Sequence, residues 1–179
     1  MGNFYDNFNI IAYADGACKN NGAKDSKGGW AFVIWFDGNK KEIHSAGYSE
    51  MTTNQRMELT AVIKVLEEIK IRWPDSGVPV IILSDSQYVV KGASDWMFNW
   101  ERKGWKRSNN PNSKSGVVSN LDLWKKMFSL VKEIHPVFSW IKGHAGYKYN
   151  ELCDDLAGAA IDTQSDYYKV FKMPLGLIN

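Results

Sequence analysis

Ile10-Ile11-Ala12-Tyr13-Ala14-Asp15 and Val80-Ile81-Ile82-Leu83-Ser84-Asp85 are short apolar runs that each stop on an acid. Runs of this length, rich in β-branched residues, read as buried strands. Ligands of sheets with parallel strands gather at the strands' carboxyl ends, so if the two strands are adjacent, Asp15 and Asp85 lie side by side there. Two further acids are placed as awkwardly. Glu58 falls on the apolar stripe of a helix whose other members are Ala61, Val62, Val65, Leu66 and Ile69. Asp154 stands near the start of a late helix, ten residues after His144. Carboxylates taken out of water must be paired or hold a metal. Four of them converging make an oxygen-only, anionic pocket of the kind that suits magnesium or manganese. Taken singly, each could be a turn or helix-cap residue.

Between the two runs, residues 16–28 form a polar loop. Residues 29–37 and 41–48 read as strands flanking the turn signal Asp37-Gly38-Asn39, which makes the opening a three-stranded antiparallel meander. Thr52 and Gln55 have capping-box spacing, so a helix starts there and stops near Trp73-Pro74. After the strand at 78–85 come a short helix ending at Gly92, a segment of mixed Trp and Lys/Arg over 94–118, and an amphipathic helix over 120–134 capped by Asn120. A strand over 137–142 and a helix over 150–162 follow. Strands alternating with helices imply parallel pairing, hence a mixed sheet with helices on its faces.

The 179 residues suit one domain with a sizeable core. Hydrophobic residues at 44% and charged residues at 23% are the balance of an ordinary globular protein. Cys18 and Cys153 form no disulfide framework and lack zinc-ligand spacing. The N-terminus does not read as a signal peptide, and no apolar run approaches the roughly 20 residues that span a bilayer. A cytoplasmic, membrane-free monomer is expected. Charge is concentrated near the middle of the chain: Arg102, Lys103, Lys106, Arg107 and Lys114 face a single acid, Glu101, between residues 101 and 116. Such cations suit phosphates, and Trp96, Trp100 and Trp105 serve either as sugar-packing faces or as core anchors.

Several motifs, in order, resemble type 1 ribonuclease H in its bacterial-like form. They are Tyr13-Ala14-Asp15-Gly16-Ala17-Cys18, Thr52-Thr53-Asn54-Gln55-Arg56-Met57-Glu58-Leu59, Leu83-Ser84-Asp85-Ser86-Gln87-Tyr88-Val89, Lys142-Gly143-His144-Ala145-Gly146 and Asn150-Glu151-Leu152-Cys153-Asp154-Asp155-Leu156-Ala157. Trp96, Asn99-Trp100, Gly104-Trp105-Lys106 and Asn120-Leu121-Asp122-Leu123-Trp124 resemble its basic protrusion. The resemblance implies an α/β ribonuclease H-like fold with a five-stranded mixed sheet in order 3-2-1-4-5. It implies a catalytic domain over 8–162 and an extension over 163–179.

It also implies endonucleolytic hydrolysis of the RNA strand of an RNA/DNA hybrid, leaving 5′-phosphate and 3′-hydroxyl ends. Asp15, Glu58, Asp85 and Asp154 would hold two Mg²⁺ ions, with Mn²⁺ as the alternative. His144 would assist proton transfer or product release. Asn54 and Gln55 would read the minor groove beside Cys18 and Asn20 or Asn21, while Gln87 would contact the RNA strand. Thr53, Trp96, Trp100, Lys103 and Lys106 would grip the DNA strand. Asn150 completes the expected nucleic-acid contacts. Thr53 has a second reading as a helix cap, and Cys18 as a small buried thiol.

The sequence departs from the pattern in four places: Asn20-Asn21-Gly22 replaces Asn-Pro-Gly, Gln55 replaces an Asn, Gly158 replaces a basic residue, and residues 108–119 are inserted. A catalytically weak hybrid-binding module derived from a mobile element is the alternative function. A DNA-cutting relative with the same core is opposed by the Thr52–Glu58 motif and the protrusion.

Overall fold

The fold is known from a computed structural model, which describes residues 4–36, 41–74, 77–107 and 116–172. β1 (Ile10–Lys19), β2 (Lys27–Phe36) and β3 (Lys41–Glu50) form the expected antiparallel meander. The turn expected at Asp37-Gly38-Asn39 lies outside the described residues. α1 (Asn54–Arg72) leads to β4 (Val80–Ser84), which pairs with β1 in parallel. α2 (Gln87–Lys91) and α3 (Met97–Arg102) are joined by a wide π turn over Gly92–Trp96, where the Met97 amide reaches back to the Gly92 carbonyl. α4 (Leu121–Ile134), β5 (Val137–Trp140) and α5 (Lys148–Thr163) follow, with β5 parallel to β4.

The sheet has six strands, not five. Its order is β5-β4-β1-β2-β3-β6, so the expected sequence of strands is present with one more at the β3 edge. The addition is β6 (Tyr167–Lys172), drawn from the C-terminal extension and antiparallel to β3. The Tyr168 hydroxyl donates to Glu68 of α1 at 2.7 Å, and the Tyr48 amide donates to Asp166 at 3.0 Å. Covering a strand edge satisfies backbone groups that otherwise invite pairing with another chain.

α1 and α4 cover one face of the sheet, where Ile10, Ala12, Ile34, Leu59, Val62, Leu66, Trp124 and Met127 make the main core. α5 covers the other face through Cys153, Ala157 and Ala160 against Ala31, Val33 and Ala46. Along β3 that second face also buries Glu42 and His44, joined by a 2.8 Å hydrogen bond, with Phe171 of β6 packed on the imidazole at 4.5 Å.

Local chemistry moved several boundaries. β1 does not stop at Asp15: it pairs with β2 as far as Lys19↔Lys27, so Asp15 lies within a strand and the loop is shorter than expected. The cap of α1 is Thr53, whose hydroxyl accepts from the Arg56 amide at 3.3 Å; Thr52 is buried under the meander. Asn120 stands at the cap position of α4 in a left-handed conformation, but its side chain donates to the Tyr88 hydroxyl at 3.3 Å instead of capping. β5 stops at Trp140, and α5 begins at Lys148, two residues earlier than expected.

Candidate active site

The parallel register Tyr13↔Leu83 sets the site, because Asp15 and Asp85 each lie two residues beyond that pair on neighbouring chains. Glu58 arrives from the second turn of α1. The helix comes so close to β1 that a Cβ at Gly16 would overlap the Glu58 amide and the Met57 carbonyl carbon, which is why a residue without a side chain stands there. Asp154 comes from α5, one residue past the buried Cys153 and one turn on from Asn150.

Asp15 is 9% exposed, and it sits deep among its own kind. Burial and then the Asp85 carboxylate push its carboxyl from 3.8 up to about 8, with smaller pushes from Asp154 and Glu58; the Gly16 amide, donating at 2.7 Å, pulls the other way. Every ionised neighbour that shifts Asp15 is acidic. Glu58 is raised as well, by burial, with Asp85 adding and the Ser86 hydroxyl opposing. The Cys153 thiol is held well above its ordinary range, chiefly by burial and then by Asp15. The four expected acids therefore act on one another across the end of the sheet. Asp155, the neighbour that could compete with Asp154, is exposed.

Hydrogen bonds fix the individual carboxylates. Glu58 accepts from the Asn54 amide group at 2.8 Å on one oxygen and from the Ser86 hydroxyl at 2.6 Å on the other. Asp85 accepts from Asn150 Nδ2 at 3.2 Å, and the Gly143 Cα lies against the same oxygen so tightly that a Cβ would collide with it. Asn150, expected to contact nucleic acid, is instead 2% exposed and serves the acid cluster; its Oδ1 has no hydrogen-bond partner among the described residues. As the side chains lie, no three acidic, histidine or cysteine groups among the described residues stand close enough to share one ion. The donor set itself, all oxygen and with no basic side chain shifting Asp15, fits hard divalent cations.

The remaining expected residues surround this end of the sheet unevenly. Asn21 Oδ1 accepts from the Asn54 amide at 3.0 Å, whereas Asn20, in a left-handed conformation, ties to Asp25 at 3.0 Å. Of the two, Asn21 adjoins the helix. Gln55 is exposed, and Cys18 is half-buried with its sulfur 3.7 Å from the Thr52 carbonyl. Gln87 opens α2 and is exposed; His144 is exposed on the loop after β5, in a left-handed conformation. Trp96 and Trp100 are half-buried and in ring contact, and Trp100 also packs on Trp124, so core anchoring takes up much of their surface. Lys103 and Lys106 are exposed; Lys114 lies outside the described residues.

Sequence reasoning overlooked Ser86, which caps α2 by accepting from the Val89 amide at 3.3 Å while holding Glu58. A serine directly after a strand-ending Asp was the available signal. It also overlooked Trp140, whose indole Nε1 donates to the Asp85 carbonyl at 2.9 Å.

The chain is similar to known proteins. Residues 7–162 match the family model for RNase H. A ribonuclease H of Francisella philomiragia is 40% identical over 161 residues, covering 90% of this chain and 96% of the relative. A ribonuclease H of Rhodopirellula baltica is 43% identical over 151 residues, covering 84% and 89%. Among solved structures, LC9-RNase H1, described as a type 1 RNase H with the type 2 active-site motif, superposes with a TM-score of 0.76 at 27% identity, over 92% of this chain and 77% of that one. LC11-RNase H1, solved in complex with an RNA/DNA hybrid, shares the fold with a TM-score of 0.60 at 23% identity, over 87% and 98%. With a family match across most of its length and relatives near 40% identity, the chain belongs to the ribonuclease H family of hydrolases.

Proposed function

We propose that this protein hydrolyses the RNA strand of RNA/DNA hybrids, with residues 8–162 as the catalytic domain and 163–179 as a C-terminal extension. The observation that carries the reading is Asp15: a carboxyl buried among three other acids and, among the described residues, shifted by no cationic side chain, beside a helix start that presents Asn54 and Gln55. Asp15, Glu58, Asp85 and Asp154 are the residues to hold two Mg²⁺ ions, or Mn²⁺. When bound, such ions stabilise charge on the phosphate and acidify water.

The chain's own residues do the rest. Asn54 and Ser86 fix both Glu58 oxygens, and Asn150 fixes Asp85, so the carboxylates enter the reaction already oriented. Water attacks phosphorus and the bond to the 3′ oxygen breaks, leaving 5′-phosphate and 3′-hydroxyl ends. His144, exposed on its loop, assists the proton movement or the departure of product. Asn54, Gln55, Cys18 and Asn21 face the minor groove, where a 2′-hydroxyl distinguishes RNA from DNA. Gln87 contacts the RNA strand, and Thr53, Trp96, Trp100, Lys103 and Lys106 the DNA strand. The same reading has the protein act as a monomer in the cytoplasm, where the free thiols of Cys18 and Cys153 stay reduced. Among the described residues no helix is long and apolar enough to cross a membrane.

The test is cleavage of labelled hybrid, double-stranded RNA and double-stranded DNA side by side with Mg²⁺. The hybrid is expected to be cut in its RNA strand and the other two spared; equal cleavage of all three overturns the reading.

A further inference from the structure

Trp140 ends β5 opposite Ser84, one residue before Asp85 on the neighbouring strand. Trp140 is 46% exposed, although its neighbour across the strands, Ser84, is buried. The Nε1–H bond to the Asp85 carbonyl pins one edge of the ring and leaves its surface open. Beside it lies a hollow of about 180 Å³ lined by Gln87, Val90, Lys91 and Trp140. Lys91 is exposed and donates to Gln87 Oε1 at 2.9 Å across one turn of α2, which keeps a cation at the rim of the hollow. An apolar floor, a positive rim and an aromatic wall bonded to the Asp85 carbonyl match one kind of occupant: a sugar flanked by a phosphate.

We propose that the hollow formed by Trp140, Gln87, Val90 and Lys91 is a subsite for a ribose–phosphate unit of the RNA strand, adjoining the phosphate that is cut. The indole packs on the sugar, which every nucleotide presents regardless of its base. The Lys91 ammonium takes the neighbouring phosphate. The assignment to the RNA strand follows from continuity with Asp85, because the strand whose phosphate reaches the carboxylates is the one that passes Trp140. This inference rests on the hybrid-cleaving reading above. Trp140 has a second role as a positioning residue, since its N–H holds the carbonyl of a carboxylate-bearing residue. The two roles separate by substitution: Trp140→Phe keeps the ring and loses the N–H, while Trp140→Ala loses both.

Two measurements test the subsite: the Kd for a labelled hybrid without divalent cation, by fluorescence anisotropy, and kcat and KM for its cleavage with Mg²⁺. Trp140→Ala is expected to weaken binding about tenfold, on the scale of losing one aromatic contact to a nucleotide, with KM rising in step. Trp140→Phe is expected to restore most of the binding, its remaining defect appearing in kcat. Lys91→Ala is expected to lower the slope of log Kd against log salt by about one phosphate contact. A Trp140→Ala variant with unchanged Kd, or with a loss in kcat alone, overturns the subsite. Should Trp140→Ala fail to fold by circular dichroism, the Lys91→Ala salt slope decides, and an unchanged slope overturns it. Because Kd is read without cleavage, a wild-type protein that binds hybrid but does not cut it refutes the functional reading while leaving the subsite to be judged on Kd.

Discussion

Glu42 and Asp15 are buried to nearly the same depth, 8% and 9% exposed, but their surroundings differ. Glu42 has His44 at 2.8 Å and the Tyr149 hydroxyl, so its hydrogen bonds close within the fold. Asp15 has one backbone amide and three acids. The first is a satisfied polar group that helps fasten β3 under α5 and beside β6. The second is a group the folded chain leaves in deficit. Burial of an acid says little about purpose until its neighbours are named, because a structural pair and a ligand set hide equally well from solvent.

The largest expected contrast is in cleavage. Asp85→Asn keeps the hydrogen-bonding shape but removes charge from the cluster, and hybrid cleavage with Mg²⁺ should fall by at least on the order of 10³-fold, the scale of losing an electrostatic element of a catalytic site. Its thermal melting should stay at or above that of the wild type. Full activity in this variant would sink the assignment of the carboxylates. Glu42→Ala should show the reverse. It leaves His44 buried without its partner and should cost about 2 kcal/mol in chemical denaturation, while the activity per folded molecule holds. Wild-type stability in that variant would mean the pair contributes nothing.

The third contrast concerns pH. An aspartate ionises near 3.8 when unfolded, whereas Asp15 in the fold keeps its proton up to about 8. Between those values the unfolded chain has released a proton that the folded chain still binds, so stability falls as pH rises. The contribution is fully present below the unfolded value and gone above about pH 8. In chelator, melting temperature should therefore decline from about pH 5 to about pH 8. Asp15→Asn should flatten that decline, and Mg²⁺ should reverse it at the upper end. A wild-type profile that rises over this window would contradict the deficit at Asp15.

The sequence made the acid cluster legible because strand runs and a helix stripe carry their own periodicity, and an acid interrupting either stands out. Glu58 was placed on the stripe and lies half-buried at its edge, held by Asn54 and Ser86. What escaped depends on partners remote in the chain. Gly16 to Lys19 look like a loop in isolation; they are strand because β2 lies opposite. Tyr167–Lys172 shows no strict alternation and becomes a strand only on meeting the β3 edge. Asn150 looks like a polar helix residue until α5 is docked and Asp85 lies within reach.

The π turn at Gly92–Trp96 carries one residue more than an α-helical turn, and the large ring of Trp124 fills the space where a Gly92 side chain would stand. One residue advances an α-helix by about 100° around its axis. The turn thus works as a phase offset between two halves of a single rod. Upstream, Ser86 keeps its hydrogen bond to Glu58; downstream, Trp100, Arg102 and Lys103 are aimed a quarter-turn or so away from where an unbroken helix would send them. Insertions and deletions at this one turn can re-aim the basic arm in discrete steps while the carboxylates stay where β1 and β4 put them. The direction of the basic segment and the placement of the carboxylates are thereby set by separate parts of the chain.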